Sequence, residues 1–102
     1  MAILKLKPGK SDGRMGLHQL ARNVNAEVVG LVSAQDEEDR AVSMRLLEIG
    51  FLTGEAVRVI AHGYPTHDPL AVRIGHTTFA LRRHEAALVT VRVRNKASGA
   101  LA

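Results

Sequence analysis

Imidazoles and carboxylates are the side chains here that could hold a metal or move a proton. Of the five histidines, His62 and His67 stand at the two ends of one loop with Asp68 beside them, and His84 adjoins Glu85. Nitrogen and oxygen donors of this kind suit zinc or ferrous ions. No two histidines sit at the His-x-x-x-His spacing that puts two ligands on one helical face, and a loop pair needs a third ligand from elsewhere. The expectation is solvated loop histidines that pick up a divalent metal, zinc or iron, weakly or adventitiously, with no cofactor required. Catalysis finds less support still. Ser11, Ser33, Ser43 and Ser98 have no histidine or aspartate at a recognisable motif position, and no GxxxxGKS loop exists to cradle phosphate. With no cysteine in the chain, disulfides, thiolate metal sites and thiol nucleophiles are excluded.

A second kind of chemistry is association. The stretch MRLLEIGFLTGE, residues 44 to 55, crowds apolar side chains around two glycines. One helical stripe cannot bury them all, because Leu46 and Leu47 point about 100° apart. Leu46, Ile49 and Phe51 are expected in the core. Leu47 and Leu52, with Thr53 at the following turn, are expected to form a partner edge. Arg82, Arg83, Arg92 and Arg94 would make a basic stripe if the last two strands were neighbours. The plainer expectation is a solvated face with Arg83 paired to a nearby acid.

These side chains need elements to hold them. DEEDRAVSMRLLEIG (36 to 50) reads as a helix, since its first turn is acidic, Asp36 can cap Asp39, and Val42, Leu46 and Ile49 fall in one stripe. Gly50 should take the left-handed conformation that lets the chain end in a Schellman motif, with Phe51 turned back onto Leu46. Gly54 gives the next turn. LHQLARN (17 to 23) has the spacing for one helical turn. AEVVGLVSA (26 to 34), with a bulge at Gly30, EAVRVIA, LAVRI, TTFALR and LVTVRVR read as strands by alternation. Val57, Val59 and Ala61 should share one face, as should Val89, Val91 and Val93. Gly75-His76 suits a type II′ hairpin turn, and RHEAA (83 to 87) a short helical turn. Five short strands with one helix between the first two predict a mainly β protein: a small antiparallel barrel with a short N-terminal helical turn. Connections after residue 54 are too short for parallel crossovers.

Composition supports one domain at 102 residues. The net charge of +4 resides at the ends: residues 1 to 16 carry +3 and Lys96 the rest, while residues 17 to 94 balance nine arginines against nine acids. A neutral body with three aromatic residues, Tyr64, Phe51 and Phe79, gives neither a phosphate-binding face nor a stacking platform, so nucleic acid is not an expected partner. Residues 1 to 16 and 95 to 102 read as mobile extensions around a domain at 17 to 94. No apolar run reaches the length of a membrane span or of a signal-peptide core, which predicts a cytoplasmic protein without direct membrane insertion.

In this order and spacing, RLLEIGFLTGEAVRVIA followed by HDPLAVRIGHTTFALRRHEAALVTV resembles the FeoA family, small cytosolic proteins of bacterial ferrous iron transport. The resemblance spans about residues 17 to 94. It rests on the Arg-Leu-Leu-Glu-Ile-Gly-Phe helix end, the turn at Gly54, Asp68-Pro69 before a strand, and the Ala-Leu-Arg-Arg-His-Glu-Ala close. It implies an SH3-like fold, no enzymatic activity, and a partnership with the cytoplasmic region of the membrane GTPase FeoB, through which the chain could associate with the membrane. Weak self-association is also allowed. Family members often carry Gly-Asp-Pro where this chain has His67-Asp68-Pro69, and the histidine implies a backbone that does not demand positive φ. Two other functional classes fit an SH3-like shape: a nucleic-acid-binding domain using the basic N-terminal segment, and a metal-responsive module like the C-terminal domain of metal-dependent repressors. No DNA-reading helix pair precedes the domain.

Overall fold

The computed structural model describes residues 13–94. Among these residues, six strands, two helices and a 3₁₀ turn follow one another as β1 (Arg14–Gly16), the 3₁₀ turn Leu17–Gln19, β2 (Ala26–Leu31), α1 (Glu37–Ile49), β3 (Ala56–His62), β4 (Leu70–Ile74), β5 (Thr77–Leu81), α2 (Arg83–Ala86) and β6 (Val89–Val93). One antiparallel sheet runs in the order β1-β6-β2-β3-β4-β5. A single core joins residues from β2, β3, β4, β5 and β6 to Leu17 and Leu20 at the N-terminal end and to Leu46 and Phe51 at the end of α1. The sheet therefore wraps around one apolar interior.

Among the described residues there are six strands where alternation predicted five. β1 lies in the segment expected to be a mobile extension, and its three residues pair with β6 as Arg14↔Arg92, Met15↔Val91 and Gly16↔Thr90. Three residues beside glycines are too few to show a period of two, so only the free side of β6 reveals them. The rest of the basic segment and the C-terminal tail lie outside the described residues.

α1 forms where its local signals place it. Asp36 Oδ1 accepts the Asp39 N–H at 2.8 Å, and three acids occupy the first turn at the positive end of the dipole. At the other end Gly50 adopts φ 116°. The Phe51 N–H reaches the Leu46 carbonyl at 3.0 Å and the Gly50 N–H that of Leu47 at 3.1 Å, the two bonds of a Schellman motif. Phe51, 1% exposed, and Leu46, fully buried, enter the core together. Burying each contributes about 1.5–3 kcal/mol. Ile49 packs half-buried against them.

Two bulges bend the long strands. Register shifts between Val28 and Gly30 on β2 and between Val59 and Ala61 on β3. The second turns Ala61 to solvent although Val57 and Val59 are buried. One extra residue at position 60 breaks the alternation, so the expected grouping of Val57, Val59 and Ala61 fails at its last member. Val93, likewise expected inward, is 37% exposed at the end of β6. The β4–β5 hairpin matches its sequence signal: Ile74 faces Thr77, and Gly75 takes φ 61°.

Candidate functional site

Two surfaces carry the residues singled out by their chemistry. The first is the end of α1 with the turn that follows. Leu47 is 40% and Leu52 49% exposed, and Met44, three residues before Leu47 on the same side of the helix, is 54% exposed. Met44 belongs to this edge although composition gave no reason to separate it from its buried neighbours. Its i, i+3 relation to Leu47, opposite the stripe of Val42, Leu46 and Ile49, is the signal that finds it. Behind the edge, the turn is laced to the bulged strand β2. The Thr53 hydroxyl donates to the Val29 carbonyl at 3.2 Å, while the Gly54 N–H donates to Val28 and the Val28 N–H to Glu55. Gly54 adopts φ 93° here. Thr53 thus fastens the apolar edge to the sheet.

The condition for an arginine stripe, that the last two strands be neighbours, is not met. β6 is inserted between β1 and β2, and β5 is the opposite edge of the sheet, so Arg82 and Arg83 after β5 are not aligned with Arg92 and Arg94. Arg92 and Arg94 each meet Glu27 on β2 at 3.2 Å. Arg45 donates to Glu85 at 2.7 Å, tying α1 to α2. Arg45 and Leu47 are about 200° apart around the helix. Arg82 and Arg83 therefore flank the side of α1 turned away from Leu47.

The second surface is the loop between β3 and β4. Its base is closed by the Gly63 N–H on the Pro69 carbonyl at 2.8 Å, and its tip by the His67 N–H on the Gly63 carbonyl at 2.8 Å. His67 has φ 65°. The backbone there does take the left-handed conformation, contrary to the expectation from the histidine at this position. The loop closure, which brings His67 back over Gly63, imposes it. The imidazoles of His62 and His67 come together with ring centres 5.2 Å apart. Asp68 does not complete a metal site with them: its Oδ1 accepts the Arg83 N–H at 2.9 Å, joining the loop to α2.

Beside His84, the Glu85 carboxylate is already engaged. Glu85 accepts the Arg82 N–H at 2.9 Å as well as the Arg45 guanidinium. Burial alone would raise the Glu85 carboxyl, but the Arg82 N–H and Arg45 outweigh it and hold it below the ordinary carboxylate value. Among the described residues no group of three histidine or acidic side chains is arranged around a common metal position. A depression of about 180 Å³ at the foot of the loop, lined by residues such as Ala61, His62, Gly63 and Pro69, is smaller than a typical ligand pocket. His18 was not singled out by its sequence context. Its Nδ1 is buried without a hydrogen bond, and burial, then the nearby Arg83 charge, lowers its pKa.

Comparison with known proteins decides the family. The FeoA domain profile matches residues 15–93. This chain belongs to the FeoA family. Stenotrophomonas maltophilia FeoA, an SH3 domain protein solved in complex with zinc, is 39% identical, with 76% of this chain and 88% of that one covered at a TM-score of 0.67. PA4359 of Pseudomonas aeruginosa is 32% identical over 74% of this chain and 96% of its own, at a TM-score of 0.55. A FeoA-like protein of Clostridium acetobutylicum, 23% identical, shares the fold at a TM-score of 0.69, with 82% of this chain and 91% of that one covered. No curated protein sequence matches significantly. The FeoA chain is accordingly a mainly β, SH3-like protein of a family associated with ferrous iron transport. No helix among the described residues is long and apolar enough to cross a membrane.

Proposed function

We propose that this FeoA chain is a non-enzymatic accessory of ferrous iron uptake that docks on the cytoplasmic region of FeoB and modulates its transport or GTP turnover. Leu47 and Leu52 supply the apolar contact, with Met44 extending it, and Thr53 holds the turn that presents it. Arg82 and Arg83, on the other flank of α1, meet acidic groups of the partner and act mainly on encounter rate and salt dependence. The observation that carries this reading is three large apolar side chains left in solvent around a capped helix stop. No resident cofactor enters it. The protein acts at the cytoplasmic face, reaching the membrane through its partner.

Calorimetric titration of the full chain with the soluble cytoplasmic region of FeoB tests the reading. Leu47→Asp and Leu52→Asp are each expected to weaken binding at least about tenfold, as loss of a buried apolar anchor does, while leaving the circular dichroism spectrum intact. Unchanged affinity in folded variants would move the interface elsewhere, and no binding by the unsubstituted chain would overturn the proposal.

A further inference from the structure

The His62–His67 pair remains when everything used for folding and docking is set aside. His62 ends β3, paired across the sheet with Leu70, and its backbone is fixed there. His67 is brought back toward it by the loop closure on Gly63, in a left-handed conformation that histidine, like asparagine, visits more readily than most residues with a side chain. Neither imidazole has a hydrogen bond to another described residue. Both ring nitrogens of each are thus free to bind something else.

The geometry fits a chelate. A metal ion held ~2 Å from one nitrogen of each ring, with a roughly tetrahedral angle between the two bonds, places the ring centres about 5 Å apart. The observed separation is 5.2 Å, with the rings inclined at 52° rather than stacked. We infer that His62 and His67 form a two-imidazole site for a divalent transition ion of the zinc, nickel and copper group, which clamps the β3–β4 loop across its own base. Two nitrogen donors without a carboxylate leave the remaining coordination positions to water or to a donor from another molecule. Such a site ranks ferrous and manganous ions below zinc and copper, so the ion it takes differs from the iron that FeoA proteins serve. This site is separate from the docking edge around Leu47 and Leu52, and metal binding is read without FeoB.

Zinc titration of the full chain, followed by the imidazole resonances in NMR and by calorimetry, is the test. One equivalent of zinc should shift His62 and His67 together and leave His18, His76 and His84 in place, and manganese should bind at least about tenfold more weakly. His62→Gln and His67→Asn should each weaken zinc binding at least about tenfold, whereas His76→Gln should not. Asparagine is chosen at 67 because it tolerates positive φ, and the resonance test needs no variant at all. Equal response of all five histidines, or unchanged affinity in the His62→Gln, His67→Asn double variant, would overturn the inference.

Discussion

The end of α1 and the β3–β4 loop are both places where the chain reverses around left-handed residues, yet they are held by different forces. At the helix end an apolar anchor goes inward: Phe51 is 1% exposed, and Leu46 beside it is fully buried. In the loop the large apolar residue goes outward, since Tyr64 is 94% exposed, and the shape is kept by backbone hydrogen bonds at Gly63 and the Asp68 contact to Arg83. The glycines differ in the same way. Gly50 is needed for its φ of 116° and has open space where a Cβ would stand, whereas a Cβ on Gly63 would meet the Asp68 carbonyl oxygen at 2.6 Å. One glycine is required by conformation, the other by crowding.

Substitutions can break this contrast. Phe51→Ala should cost about 3–5 kcal/mol in urea unfolding, while Tyr64→Ala should stay within about 0.5 kcal/mol. Equal effects would mean that the loop, too, is anchored by packing. Gly63→Ala should cost about 1–3 kcal/mol, because backbone rather than a flexible side chain must move. Gly50→Ala should cost about 1 kcal/mol, since only the left-handed conformation is penalised, and Gly50→Asn less. A reversal of that order would show that Gly63 has room to relax.

The smallest effect is on pH. Burial lowers the His18 pKa in the folded state, so the unfolded chain binds its proton more readily and stability rises with pH through the ordinary histidine range. Acidification below about pH 6.5 should therefore destabilise the protein. His18→Gln should flatten that dependence, and an identical pH profile in the variant would remove His18 as its source. The Glu85 carboxyl, held low, works over a more acidic window: its contribution is present above its unfolded value and lost as pH falls through the folded one.

Sequence by itself determined the elements whose signals are local. The acid-capped start and glycine stop of α1, the Schellman contact of Phe51 with Leu46, and the two-residue turn at Gly75 depend on residues within five positions of each other. The sequence also places Leu47 on a different face of α1 from Leu46, which is why its exposure was legible. Tertiary structure alone decided the rest. β1 exists only because β6 offers it an edge, and the insertion of β6 between β1 and β2 parts the arginines that looked like one stripe. The bulge at residue 60 sends Ala61 outward, and loop closure holds His67 at positive φ and sets its ring against His62. Each of these depends on which distant strand or loop end comes near. The gain from such pairings lies in burial and hydrogen bonds between residues far apart in sequence, and no short window of residue types records it.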